Sequence, residues 1–467
     1  MMKEFSILVS PIDFISFKSI TISREVNQHT RATVIGCIAD DMAEQYMAML
    51  LRELWVTVEA VGEPGNRELL LEGVVTDFSI DHGSHHKELS LTIHSGSYLM
   101  DTAQHFRTFQ NADLSYDGVM GILDEGYADA GHIGKELAGN PIGDFLMQYE
   151  ETDWEFVKRL ASRLNYCVCP ADKFTGTRYY FGLKERDQIQ FPENMKFSLH
   201  KSIGEYMIKE GSKEIHLNKN DCQEFVVSSR EAYHVGDWAY MLGARVIIYK
   251  IESRYEHDEL MHHCYMRTAA GLATLNAYNQ KLSGCSFEAT VREAKEDLVQ
   301  IDVHGDENAK QEITKWFKYS TVYSTPDGTG WYAMPEIGDV VRLYIPSKRE
   351  HDGYVASSVH LDVSSGDRKN PAHKSIMNKH RKEILFTPDK LTLTNNNGIK
   401  IEIADGAGVS IISNKAIRIS AKDSVTISSE NASMVVAGTD AVLIQQSGAS
   451  ILLDDDISFD GGEFRIQ

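Results

Sequence analysis

Pairs of apolar residues recur every eight positions through about the last eighty residues of this 467-residue chain. The two members of a pair are two residues apart, so both side chains point to one face of a strand. Polar and turn-forming residues separate the pairs, and a fixed short period of this kind is typical of a β-solenoid. With smaller residues at the remaining pair positions, the predicted core consists of Val409, Ile411, Ile417, Ile419, Val425, Ile427, Val435, Leu443, Ile451, Ile457 and Phe459.

An octad is too short to enclose a core, because two inward side chains per rung cannot shield each other from water. One chain could wind three octads per turn, or three chains could each supply one side of a prism. We favour three chains, because a closed prism has no sheet edges along its length that could aggregate. At about 4.8 Å per octad the prism is about 45–50 Å long, which exceeds the roughly 30 Å hydrocarbon layer of a bilayer. A stalk or adhesin shaft is the alternative for such a polar β-repeat.

The end of the chain is predicted to be the tip of this needle. A shortened last rung contains Phe464 and Ile466, and Gln467 follows. Either these residues close the needle or a separate tip protein caps its exposed rungs. The nearby run Asp454–Asp456 is interpreted as solvated turn residues, and no metal site is predicted because no histidine follows His380.

Charge and cysteine content restrict the class of protein. A formal net charge of −21 argues against a nucleic-acid-binding surface. Six scattered cysteines are typical of free thiols in a reducing cytoplasm. The sequence has neither a signal-peptide core nor an apolar run long enough to span a bilayer, so we expect synthesis in the cytoplasm. Residues 366–384 are rich in lysine and arginine and are interpreted as a basic neck before the needle at 385–467.

Residues 1–284 have the strand pattern of two small β-barrels, with a helical insertion at about 95–165. The strongest local pattern is Thr152 followed by Glu155, which is a capping box and predicts a helix start. An apolar stripe follows it, and Trp154 is interpreted as a packing residue. Five short strands are then predicted within residues 285–365, and they fit a small OB-type barrel.

Three segments together resemble the hub and spike proteins of contractile injection systems. Tyr149–Leu160 resembles a Tyr-x-Glu-[Thr/Ser]-Asp-Trp-x-Phe-x-x-Arg-Leu helix, Trp331–Val341 resembles the Pro-x-x-Gly-Asp-x-Val edge of an OB domain, and the octads resemble a needle. The families concerned are the late control protein D family of phage tails and the VgrG proteins of type VI secretion. The resemblance implies a trimeric hub with two β-barrels per chain, an OB collar and a triple-stranded β-helix needle.

No catalytic or cofactor-binding residues are predicted. His257–His263 contains three histidines, but their spacing does not match the His-Glu-x-x-His helix of a metalloprotease. Cys167 and Cys169 share one strand face without a second pair at zinc-site spacing, so packing is the interpretation. We therefore predict a protein that is not an enzyme and binds no cofactor or metal.

The sequence thus predicts a mainly β homotrimer that joins a tail tube to a membrane-piercing needle. Its expected partners are itself, tail tube and baseplate proteins and the target cell envelope, without nucleic acid. A separate tip protein is a further expected partner if the last residues do not close the needle. The resemblance implies a bacterial origin and assembly into a virion, bacteriocin or secretion apparatus. The alternatives are a β-solenoid adhesin or receptor-binding fibre and a tail-associated cell-wall hydrolase.

Overall fold

The structure is a computed structural model that describes residues 6–62, 67–82, 87–134, 137–192, 194–256, 259–356 and 368–463. As predicted, the chain is mainly β. It divides into two compact units, one within residues 1–359 and one within residues 360–467.

The first unit contains twenty-one strands among its described residues. In chain order they are β1 Ser6–Ser10, β2 Ser16–Glu25, β3 Arg31–Ile38, β4 Trp55–Val61, β5 Arg67–His82, β6 Lys87–Ser95, β7 Gln104–Phe109, β8 Gly131–Gly134, β9 Leu146–Thr152, β10 Val168–Pro170, β11 Arg178–Phe181, β12 Phe197–Lys201, β13 Gln223–Ser229, β14 Trp238–Met241, β15 Ala244–Glu256, β16 Glu259–Arg267, β17 Cys285–Lys295, β18 Leu298–Val303, β19 Phe317–Lys318, β20 Val340–Ile345 and β21 Tyr354–Ala356. The helices are α1 Ala43–Leu50, α2 Tyr116–Asp124, α3 Asp153–Arg163, α4 Ile203–Ser212 and α5 Ala269–Leu272, with short 3₁₀ helices at Gly96–Asp101, Gln280–Leu282 and Glu350–Asp352.

One sheet of eleven strands contains strands from both predicted barrels. Its order is β1-β4-β5-β6-β3-β2-β15-β16-β13-β12, with β14 paired to β15. The two halves share this sheet, because β2 pairs antiparallel with β15 and places Ile22 opposite Ser253. This pairing satisfies backbone groups that would otherwise form two open edges. The main core of the first half also includes Tyr255 and Leu260 from the second half.

The insertion at about 95–165 is only partly helical, which corrects the sequence prediction. Strands β7 and β9 pair antiparallel within it, and β8 joins β10 and β11 in a small separate sheet. Pairing of β7 with β9 and of β8 with β11 outweighs the local helical period here, since strand formation depends on contacts with neighbouring strands. Helix α3 is confirmed, with the complete capping box between Thr152 and Glu155.

A sheet of five strands forms the last part of the first unit, in the order β19-β18-β17-β20-β21. Its core contains Val291, Ile301 and Leu343, and it also includes Phe145 from the insertion. The predicted count of five strands is correct, but the segment from Trp331 becomes a strand only at Val340. The residues before Val340 form a long loop closed in part by a bridge between Ser324 and Gly330.

The second unit contains two antiparallel sheets. One has the order β22-β23-β24-β25-β26, and the other has the order β27-β28-β29. Their strands are β22 Lys374–Met377, β23 Glu383–Phe386, β24 Lys390–Thr394, β25 Ile399–Ala404, β26 Gly408–Ser413, β27 Val442–Gln446, β28 Ala449–Leu453 and β29 Ile457–Asp460. The basic neck predicted at 366–384 therefore supplies two strands, β22 and the start of β23, to the first of these sheets.

Candidate functional site

The octad pairs nearest the neck form one apolar surface, which we call the needle face. In the β24–β26 meander, Leu393 lies opposite Ile401, and Ile401 lies opposite Ile411. Directly opposite residues of antiparallel strands share a face, so consecutive pairs form a continuous ladder. The needle face consists of Leu391, Leu393, Ile401, Ile403, Val409 and Ile411.

The needle face is more exposed than the polar face behind it. Val409 is 68% exposed and Ile411 is 56% exposed. On the opposite face the Glu402 side chain is only 15% exposed and forms ion pairs with Lys390, at 2.9 Å, and Lys400. A contiguous exposed apolar surface of this kind marks an interaction site.

Residues 416–440 connect the two sheets of the second unit. They are all described, and they form no backbone hydrogen bond with any described part of the chain. Their predicted core residues are exposed, from 53% for Val425 to 81% for Val435. Backbone polar groups are almost always paired in folded proteins, so this segment needs partners outside a single chain or from water. The predicted core residues in it are Ile417, Ile419, Val425, Ile427 and Val435.

The register of the last sheet differs from the octad expectation at one position. Ile451 lies opposite both Ile444 and Phe459, so these three side chains share a face. Leu443 lies opposite Leu452, on the other face. Ile457 lies opposite Leu453. Leu453 is two residues from Ile451 on the same strand, so Ile457 shares the face of Ile451. The predicted tip residues Phe464, Ile466 and Gln467 lie outside the described residues.

Arg159 of α3 joins the insertion to the five-stranded unit, and we call this contact the hub joint. Its Nε and Nη2 atoms donate to Glu151 at 2.8 and 2.7 Å, and Nη2 also donates to the Met147 carbonyl at 2.8 Å. Nη1 pairs with Glu350, which is 191 positions away and lies in the 3₁₀ helix before β21. Burial alone would lower the pKa of Arg159. The carboxylates of Glu350 and Glu151 outweigh this effect and raise the pKa above its usual value. The Arg159 guanidinium therefore stays protonated, whereas burial raises the pKa of Glu151 despite the opposing effect of Arg159.

The start of α3 is fixed by a second buried network. Asp153 is fully buried and accepts hydrogen bonds from Gln148, at 2.8 Å, from the Tyr127 hydroxyl, at 2.8 Å, and from Arg107. Its negative charge also lies at the positive end of the helix. Trp154 is 1% exposed and packs against the His29 ring at 4.7 Å between centroids. The sequence interpretation of Trp154 as a packing residue is therefore confirmed.

The histidine-rich segment does not form a metal site within the described residues. His262 is hydrogen-bonded to Ser253 and His263 to Ser228, each at 2.8 Å. Both serines lie on strands that neighbour β16. His257, like His85 and His86, lies outside the described residues. Among the residues that the structure describes, no group of histidine, cysteine, aspartate and glutamate side chains is arranged to hold a metal ion.

Sequence reasoning missed a Ser–His–Asp arrangement around His29. Its Nδ1 lies 2.8 Å from Ser97 Oγ, and its Nε2 lies 2.8 Å from Asp101 Oδ2. Ser97 is fully buried, and its hydroxyl also contacts Ser95 at 3.0 Å. A nucleophile must reach its substrate, so this burial indicates a structural network. Burial raises the pKa of Asp101, but hydrogen bonds from His29 and Thr152 outweigh it and lower the pKa.

Cys167 and Cys169 are buried free thiols on one side of the small sheet that contains β10. This confirms the packing interpretation. Among the described residues, no helix is both long and apolar enough to cross a membrane.

These features define a β-rich protein with one compact unit and one β-repeat unit, and comparison with known proteins shows what the chain is similar to. A family model for the phage tail baseplate hub (GPD) matches residues 29–168. The matched region runs from the first half of the large sheet through the insertion to α3. No curated protein sequence matches the chain.

Solved structures with the same fold come from secretion systems. One is the E. coli c3393 protein, a type VI secretion component with structural similarity to the phage T4 tail proteins gp27 and gp5. It is 12% identical with a TM-score of 0.52, and the match covers 75% of this chain and 99% of that one. A chain of the lidded Francisella PdpA–VgrG complex is 10% identical with a TM-score of 0.56, and the match covers 88% of this chain and 80% of that one. The lidless complex gives a TM-score of 0.54 at 10% identity, covering 88% and 98%. The predicted resemblance to baseplate hubs and VgrG-like spikes is thereby confirmed.

Proposed function

We propose that the protein is the homotrimeric hub and spike of a contractile tail-like particle, in which the second unit becomes a membrane-piercing needle. This proposal is carried by residues 416–440, which form no backbone hydrogen bond with the described part of the chain and whose apolar side chains are exposed. Three copies can pair these backbones with one another and bury the apolar residues on a common axis.

The work of the needle is mechanical in this proposal. Contraction of a sheath drives the tube, and a stiff prism concentrates the force on a small area of the target envelope. Stiffness comes from continuous interchain hydrogen bonds around a dry core of valine, isoleucine and leucine. The predicted core of eleven residues from Val409 to Phe459 supplies that interior, with Leu443 requiring a change of register from the single-chain arrangement.

The first unit is the part that we propose contacts the tail tube and the baseplate. Its match to the baseplate-hub family and its fold likeness to VgrG support this role. The buried hub joint supports it as well, because a rigid link at Arg159 would transmit force between the insertion and the five-stranded unit. We propose a structural role without catalysis, for a protein made in the bacterial cytoplasm and assembled into a tail-like particle.

The needle proposal is tested by a matched pair of substitutions. Ile419→Asp puts three like charges on the proposed axis, where a buried unpaired charge is strongly unfavourable, so we expect loss of the trimer. Ser420→Asp adds the same charge on the opposite face of the same rung and should leave the trimer intact. Native mass spectrometry of the two full-length variants makes the comparison. Equal trimer content in both variants would refute the needle model.

A further inference from the structure

A cavity of about 50 Å³ in the first unit is not used by the assembly proposed above. Strands β2 and β16, the segment after β10, the segment around 183–186 and the loop before β14 enclose it. These stretches are far apart in sequence, so the cavity has no local sequence motif. The basic residues of its lining are Arg24, Lys173, Lys184, Arg186, His234 and His262, and the acidic ones are Glu25, Glu68 and Asp172.

The acidic residues of the lining are largely engaged by other groups. Asp172 Oδ2 accepts from Arg24 Nε at 2.7 Å and from Thr30 Oγ1 at 3.0 Å. Glu25 pairs with Lys250 at 3.4 Å, on the neighbouring strand. Arg24 is thereby neutralised, and little negative charge remains for the other basic groups.

Lys173 and His234 face each other without a carboxylate between them. Lys173 Nζ lies 3.5 Å from His234 Nε2, whereas its nearest carboxylate, that of Glu68, is 4.0 Å away. The Arg186 guanidinium forms no ion pair with the residues that the structure describes. The lining therefore has four lysine and arginine side chains against three carboxylates, in a chain whose net charge is −21.

The titration behaviour of these groups agrees with the geometry. Burial, followed by the charge of Lys173 and a smaller effect of Arg186, lowers the pKa of His234 despite the opposing effect of Asp237. Burial, followed by Arg24, lowers the pKa of Lys173 despite the opposing effect of Asp172 and Glu68. An anion bound between Lys173 and His234 would raise both pKa values, because a negative charge nearby favours the protonated form of each group.

We propose that this cavity binds a small oxyanion of the phosphate or carboxylate class between Lys173 and His234, with Arg186 contributing from its rim. The volume accommodates a few water molecules or one compact anion. Charge-assisted hydrogen bonds from lysine and arginine are the common protein ligands for such groups. The site is lined by residues from both halves of the first unit. Its existence does not depend on the needle.

Isothermal titration calorimetry of the full-length protein tests this site. Inorganic phosphate is titrated in one arm and succinate in the other, at constant ionic strength so that screening does not change. We expect saturable binding of at least one anion, and Lys173→Met should weaken it about tenfold or more. Lys18→Met is the matched control, because Lys18 is a surface lysine paired with Glu88 at 3.2 Å on the same sheet.

Arg186→Gln provides a second variant at an exposed position, so a folding failure of Lys173→Met does not stop the test. Binding of phosphate that weakens in both site variants but not in Lys18→Met supports a free phosphate ligand. Binding of succinate alone, with the same variant pattern, supports a carboxylate from a partner molecule. Absence of saturable binding in both arms, or binding that neither site variant weakens, overturns the proposal.

Discussion

Arg159 and Glu350 form a buried ion pair between the insertion helix and the five-stranded unit, although 191 positions separate them. The side chains are 5% and 7% exposed. A buried pair of this kind is costly to break, because removing one partner leaves an uncompensated charge. The contact therefore ties the position of the collar to that of α3.

Replacing Arg159 by methionine should reduce the free energy of unfolding by about 3–5 kcal/mol, because Glu151 and Glu350 would both remain buried without a cation. Glu350→Gln should cost less, about 1–3 kcal/mol, since Glu151 still pairs with Arg159. Urea unfolding monitored by tryptophan fluorescence measures the free energy of unfolding of both variants. Glu293→Gln, at an exposed position on β17, should have no effect. Equal stability of all variants would show that the joint is not structural.

The capping box at the start of α3 should also contribute to stability. Thr152 Oγ1 accepts from the Glu155 amide at 3.1 Å, and the Glu155 carboxylate accepts from the Thr152 amide at 3.0 Å. Thr152→Ala should therefore cost about 1–2 kcal/mol in chemical unfolding. Thr152→Ser keeps the hydroxyl and should restore most of that loss. If serine is as damaging as alanine, the methyl packing of Thr152 and not the cap would be the cause.

His94, which is partly buried, and His262, which is buried, should make the protein lose stability in mild acid. Burial, with smaller contributions from His29 and Arg31, lowers the pKa of His94 to about 4 from 6.5. Burial, followed by Arg24, lowers that of His262 to about 4 as well. Between these pKa values the unfolded chain binds more protons than the folded chain, so stability falls as the pH drops from about 6.5 to 4.

The pH dependence can be assigned with the variant His94→Gln. Its urea-unfolding free energy should change less between pH 7 and pH 5 than that of the wild type, because one depressed group is gone. His304→Gln is the control, since the His304 side chain is 44% exposed. An unchanged pH slope in His94→Gln would mean that His94 does not contribute.

Local sequence patterns predicted some features and could not predict others. The capping box and the apolar stripe of α3 depend on residues within one helix, so the sequence contained everything needed. The β2–β15 pairing joins Ile22 to Ser253, and no local pattern encodes such a contact. A short strand can also shift its register without changing its composition, which is why the face of Leu443 differs from the octad expectation.

The candidate sites divide in the same way. The needle face follows from a spacing of two residues repeated along the chain, so its ladder could be predicted from sequence. Arg159 was recognised only as part of a motif, and its partner Glu350 becomes visible only after folding. The anion cavity assembles Lys173, Arg186 and His234 from separate segments, and only the structure brings them together.

Native mass in solution tests the central proposal most directly. The chain has a mass of 52.5 kDa, and we predict that native mass spectrometry of the full-length protein gives a value near three times that mass. Deletion of residues 385–467 should abolish the trimer and remove the β-structure of the needle together. A stable full-length monomer that retains the β-structure of the second unit would contradict the account, because one chain would then satisfy its own repeat.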